Sequence, residues 1–175
     1  EHVRKQLHPS RTLVDHAADG DVEKMLEELR RYADPASRSE TGRSALEAAA
    51  AAGQIEAVNT LLDFEARPKD EPVLMQAVLE CKDPELTSRM LKLLHANGAS
   101  LDLSEGKPSL LQSTVTAGSS LEVLRTLIEL GAPLDTGENE PPLLQLAVNS
   151  DRRDAFDALM RAGAPTRGVV ATTRN

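Results

Sequence analysis

Four histidines and one cysteine are the residues of this chain best suited to chemistry: His2, His8, His16, His95 and Cys81. None forms an H-x-x-x-H pair, and none lies near Cys81 at zinc-type spacing, so no tetrahedral ligand set can be read from them. Cys81 stands beside Lys82, which would favour a thiolate, but a catalytic thiol also needs a positioned base and the pattern supplies none. His16 takes an Ala position in the first helix and reads as a partly buried structural histidine. His95 follows Leu94 near a helix C-terminus, where a cation or donor satisfies free carbonyls. There is no Gly-rich phosphate loop, since Gly118-Ser119-Ser120 is a helix-to-helix turn, and the carboxylates lack the D-x-D-x-D spacing of a calcium loop. The chain is therefore expected to hold no catalytic residue, no cofactor and no metal.

The elements that would have to position any site are short and repeated. Tyr32-Ala33, Glu65-Ala66, Gly98-Ala99, Gly131-Ala132 and Gly163-Ala164 recur at steps of 33, 33, 33 and 32 residues. A fixed period of this length marks a stack of similar supersecondary units, none of which can bury its apolar face alone. Aromatic residues are confined to Tyr32, Phe64 and Phe156, and cores of Ala and Leu suit close helix packing better than sandwiches or barrels. The net charge of −8 argues against a general phosphate-binding surface, so nucleic acid is not an expected partner. No apolar run approaches the ~20 residues of a membrane span, and the opening residues lack a signal-peptide pattern. A lone cysteine suits a reducing compartment, which makes the expected location intracellular, cytoplasmic or nuclear.

Residues 41–66 form the clearest unit. Thr41-Gly42 opens it, Ser44 to Ala52 reads as a narrow Ala-rich helix, and Gly53 supplies a left-handed stop. Ile55, Val58, Leu61 and Leu62 then mark one buried stripe of a second helix. In the third unit, Asp83-Pro84-Glu85 reads as an N-cap, a first helical position and an acidic first turn. The second helix there is expected from Pro84 to about Ala96, some four residues longer than its neighbours. Residues 151–162 are charged on most sides except the stripe Ala155, Phe156 and Leu159, as a terminal cap requires.

This pattern resembles the ankyrin repeat, whose motif runs G-x-T-P-L-H-x-A-A-x-x-G, then V-x-x-L-L and G-A. Gly42, Leu46, Ala49, Ala50, Gly53, Val58, Leu61, Leu62 and Ala66 fall in its register, and four further units follow with more drift. The resemblance implies an all-α fold, an ankyrin-repeat solenoid of stacked helix-turn-helix units with short hairpin-like loops. It would span residues 9–165, with repeats at about 9–37, 38–68, 69–101, 102–135 and 136–165. A lead-in segment, 1–8, precedes it and a loose tail, 166–175, follows. Where the motif has His, this chain has Val14, Glu47, Gln76, Gln112 and Gln145. Gln both donates and accepts, so the three glutamines are expected to tie adjacent loops as that His does, a ladder read as structural in preference to a ligand site.

The resemblance also implies the function: a non-catalytic protein–protein interaction module, an adaptor or scaffold, binding a protein segment on its concave face. The alternative is a regulatory or targeting domain of a larger enzyme whose catalytic part lies outside these residues, a reading kept open because the chain starts at Glu1 and not at Met. The partner-binding positions are the loop tips and the exposed ends of the first helices: Glu40, Thr41, Arg43, Lys69, Asp70, Pro72, Glu80, Glu105, Lys107, Thr116, Glu138, Asn139, Asn149 and Ser150. The acidic excess at the tips suits a partner with basic residues flanking a small apolar patch. The chain is expected to be monomeric on its own.

Overall fold

Side-chain hydrogen bonds at the N-terminus start three of the short helices among the described residues. A computed structural model describes residues 12–68, 74–101, 108–136 and 140–169. Thr12, Ser44 and Ser109 each accept a bond from the backbone N–H three residues on. Asp15, Glu47 and Gln112 reciprocate by accepting from the cap residue's own N–H, at 2.8, 3.2 and 2.6 Å. These capping boxes satisfy donors that a helix start otherwise leaves bare. They open α1 (Leu13–Asp19), α3 (Ala45–Ala51) and α7 (Leu110–Thr116). The corresponding helices α5 (Leu74–Val78) and α9 (Leu143–Asn149) complete a set of five short ones.

Each short helix is followed by a longer one: α2 (Val22–Arg30), α4 (Ile55–Asp63), α6 (Pro84–Ala96), α8 (Leu121–Glu129) and α10 (Arg153–Arg161). α6 starts where the sequence places it: Asp83 accepts from the N–H groups of Glu85 and Leu86, and Pro84 fills the first turn. It has 13 residues where the other four have nine, about one extra turn. Among the described residues there is no strand, only an isolated antiparallel bridge between Arg38 and Ser44.

The recurrent x-Ala clause is the closing turn of each longer helix. Tyr32, Glu65, Gly98, Gly131 and Gly163 all adopt left-handed backbone, with φ of 69, 67, 92, 85 and 85°. The alanine that follows donates its N–H to the carbonyl five residues back: Ala33 to Glu28, Ala66 to Leu61, Ala99 to Leu94, Ala132 to Leu127 and Ala164 to Leu159, at 2.9–3.0 Å. This is the Schellman arrangement, in which reversal of backbone hand lets two N–H groups return to the last free carbonyls. Ala suits the second position because it tucks against the helix end. Ala66, Ala99, Ala132 and Ala164 are buried there.

The chain divides into two units, Glu1–Ala66 and Arg67–Asn175. In the first, α1 packs on α3, α2 on α4, and each short helix on its longer partner. Ala17, Ala45, Ala49 and Ala50 are fully buried, and their small side chains let α1 and α3 approach closely, while Met25, Leu46, Val58 and Leu61 fill the space behind. Ile55 and Leu62 are only half-buried, and Ala57 takes a place in the stripe. In the second unit α6 packs on α8, α8 on α10 and α7 on α9. Its core is Leu- and Met-rich, including Leu74, Met90, Leu94, Leu111, Leu124, Leu127 and Leu159. Each such side chain contributes about 1.5–3 kcal/mol by leaving water.

Two sequence expectations change in the structure. Asp15, and not Val14, holds the position equivalent to Glu47 and Gln112: Thr12 fixes the start of α1, which reaches its left-handed Gly20 one residue sooner than α3 reaches Gly53. And Phe156 is half-exposed, where Ala155 and Leu159 of the same stripe are fully buried. No helix among the described residues is long and apolar enough to cross a membrane. The lead-in at 1–8 and residues 170–175 of the tail lie outside the described residues.

Candidate functional site

In the first unit, the tip holding Glu40, Thr41 and Arg43 is a tight loop built by its own polar groups. The Ser39 N–H donates to the Arg43 carbonyl at 2.9 Å and the Gly42 N–H donates to the Ser39 carbonyl at 2.8 Å. Gly42 sits at φ 80°, a conformation that favours glycine. Hydroxyls of Ser39 and Thr41 meet at 2.8 Å. Arg38 locks the base: its guanidinium donates to the Gly42 carbonyl at 2.8 Å and lies 3.4 Å from Glu47. Glu47 is 3% exposed, so its charge is held inside the unit by Arg38, the Ser44 N–H and the cap geometry. Glu40 and Thr41 stay exposed on this rigid loop, and Arg43 is half-buried.

In the second unit, Glu80 lies just past α5, Thr116 ends α7, and Asn149 and Ser150 end α9. All four are exposed. Two long-range bonds tie the helices that carry them: the Ser113 hydroxyl donates to Gln76 Oε1 at 3.4 Å, and Arg152 Nη1 donates to the Thr114 carbonyl at 3.3 Å. Thr116 returns its hydroxyl to the Gln112 carbonyl, and Asn149 accepts from Gln145 at 2.8 Å, so both present short, fixed polar ends. Lys69, Asp70, Pro72, Glu105, Lys107, Glu138 and Asn139 lie outside the described residues.

The glutamines do not act alike. Gln112 Oε1 caps its own helix, as the Glu47 carboxylate does, whereas Gln76 accepts from the next short helix. The tie between short helices in the first unit comes instead from Gln54, whose Nε2 lies 3.5 Å from the Ala18 carbonyl. Arg152 stands at the same place before α10, one residue ahead of the longer helix, and reaches back in the same manner.

One recess was not foreseen from sequence. A cleft of about 490 Å³ lies beside the last tip, between Leu134, Asp135, Thr136, Glu140, Pro142 and Leu143 on one side and Pro165, Arg167 and Gly168 on the other. Its lining mixes apolar walls with Asp135, Glu140 and Arg167.

The reactive side chains stand apart. His16 is buried in α1, with Nε2 3.4 Å from Glu28, and its Nδ1 has no partner among the described residues. His95 Nδ1 lies 3.3 Å from the Ala99 carbonyl at the end of α6. Cys81 is half-exposed, its thiol 3.8 Å from the Asp83 carbonyl. Among the described residues no group of three or more His, Cys, Asp or Glu could hold a metal ion. Two carboxyls are held below their usual range by a hydrogen-bonded cation: Asp21 by Lys24 and Asp154 by Arg152, each at 2.8 Å. Both are surface pairs at helix starts.

No protein-family model matches the chain, and no curated protein matches it.

Proposed function

We propose that this chain is a protein-interaction module of the ankyrin-repeat type, without catalysis, that holds a segment of another protein against its loop tips and the C-terminal ends of its short helices. The observation that carries the reading is the unit itself. Among the described residues, five pairs of a short and a longer helix each close with a left-handed residue followed by alanine. Repeats of this kind leave one helix end and one loop per unit free for contact. The ends available in the second unit are small or short polar groups, Thr116, Ala117, Asn149 and Ser150, which give a partner backbone close access. The cleft beside Pro142 and Leu143 adds apolar walls, with Glu140 to meet a basic side chain and Arg167 to limit the choice. The partner is a peptide segment with basic residues flanking a small apolar patch.

Capture from a cell lysate tests this. Thr116→Arg/Asn149→Arg places two long cations on exposed helix ends without touching the core. A protein held by the wild type and lost by the doubly substituted chain, with an unchanged melting curve, supports the reading. Equal capture by both chains refutes the assignment of this surface.

A further inference from the structure

The hairpins α7–α8 and α9–α10 repeat one another position by position. Val148 and Val115 each stand six residues past the N-caps Pro142 and Ser109. Phe156 and Leu124 each stand seven residues before the left-handed Gly163 and Gly131. Val115 and Leu124 are 0% exposed, in a hairpin that has α9 packed on α7 and α10 on α8. Val148 and Phe156 are half-exposed, and so is Gln145 where Gln112 is buried. Between Val148 and Phe156 opens a depression of about 230 Å³, edged by Asp151, Arg152 and Arg153. This face continues the interface by which one hairpin packs on the next, one layer further on.

We propose that the face of α9 and α10 that carries Val148 and Phe156 takes a second copy of this chain, packed through the same face about a two-fold axis. The charges of that face complement a second copy of it. The chain carries −8, yet residues 151–161 hold three acids, Asp151, Asp154 and Asp157, against three arginines, Arg152, Arg153 and Arg161. Two copies meeting here therefore bring no net repulsion to the contact. Arg153, Phe156, Asp157 and Met160 share one side of α10 at i, i+3, i+4 and i+7. Two such helices running antiparallel set Arg153 of one copy against Asp157 of the other, and symmetry makes the pair twice. Neither residue has a partner among the described residues. Arg152 is not available for this role, because Asp154 and the Thr114 carbonyl already hold it. Phe156 and the exposed Met160 supply the apolar contact between the charges. This proposal differs from the monomer expected from sequence.

Sedimentation equilibrium of the whole chain over roughly a hundredfold range of concentration tests the proposal. The expected mass rises from one chain to two. Arg153→Asp, an exposed substitution that spares the core, should hold the chain as a monomer throughout, and Arg153→Asp/Asp157→Arg should restore the dimer by exchanging the pair. Phe156→Glu should also give a monomer, with a circular-dichroism melt separating dissociation from unfolding. A wild type that is monomeric at every concentration overturns the proposal and leaves the face to a different helical protein or to none. A dimer that survives both Arg153→Asp and Phe156→Glu also overturns it, because its interface then lies elsewhere.

Discussion

Replacing Tyr32 by glycine should stabilise the first unit. Tyr32 closes α2 at φ 69°, and an L side chain in left-handed backbone costs roughly 1–2 kcal/mol. Glycine removes that cost but adds unfolded-state freedom of about 0.5–1 kcal/mol. The tyrosine ring returns little, since the residue is 95% exposed. The remaining 5% of a ring burying ~200 Å² is ~10 Å², or about 0.3 kcal/mol. The balance favours Tyr32→Gly by roughly 0.5 kcal/mol, which for a unit of this size raises Tm by about 2–4 °C. Tyr32→Ala is the control, because it removes the ring and keeps the Cβ in the strained conformation. Thermal and urea melts should therefore rank glycine above both tyrosine and alanine. If Tyr32→Gly and Tyr32→Ala melt together, or glycine melts lower, then left-handed strain at the repeat closure is not what distinguishes these residues.

Three other substitutions test the core, a left-handed glycine and a surface pair. Leu127→Ala, at a fully buried position of α8, should cost about 2–5 kcal/mol in urea denaturation, and a value near zero would mean that α8 does not pack as described. Gly20→Ala should destabilise by left-handed strain of ~1–2 kcal/mol; its Cβ would stand 2.5 Å from Gln54 Oε1, the far end of a flexible side chain that can swing aside and leave the Ala18 carbonyl, and a variant as stable as the wild type in urea denaturation would refute the strain. Asp154 has its folded-state acidity raised by Arg152, so the stability it contributes is present above the unfolded carboxyl pKa of ~3.9 and is lost as pH falls through the lower folded value. The difference between wild type and Asp154→Asn should accordingly shrink below about pH 4; the side chain is 45% exposed, so it is expected to stay under ~1 kcal/mol, and a difference that grows on acidification would refute the sign.

The parts of the fold legible in the sequence are those settled within a few residues of the chain. The x-Ala clause could be read at a distance because a Schellman ending is local: one left-handed residue, one small residue, and bonds to carbonyls of the same helix. The start and end of α6 were legible for the same reason, with Asp83, Pro84 and Gly98 acting on their own neighbours. Where two local signals disagreed, the count slipped. Measured back from Gly20, Val14 takes the motif's His position; measured forward from Thr12, Asp15 does, and the capping box decides for Asp15.

What stayed illegible depends on distance along the chain. Gln54 and Arg152 look alike only in the fold, since one bonds across 36 residues to Ala18 and the other across 38 to Thr114, and nothing in their neighbours announces either bond. Sequence offered the three glutamines for that role because they recur, but recurrence marks an equivalent position and not an equivalent partner. A side chain at the third position of a short helix is close enough to its own N-cap to bond there first, as Gln112 does. Ahead of the longer helices, Asp21, Asp83 and Ser120 cap their own helix, whereas Gln54 and Arg152 make no side-chain cap bond. Left without a cap bond, Gln54 and Arg152 reach past α3 and α9 to a carbonyl of the short helix before, on α1 and α7. Gln and Arg are chemically unlike but equivalent by that measure, which is reach and a free N–H. The tie between short helices is thus made by a side chain ahead of the longer helix where that side chain does not cap it, as at Gln54 and Arg152, and between α5 and α7 by Gln76 and Ser113 instead.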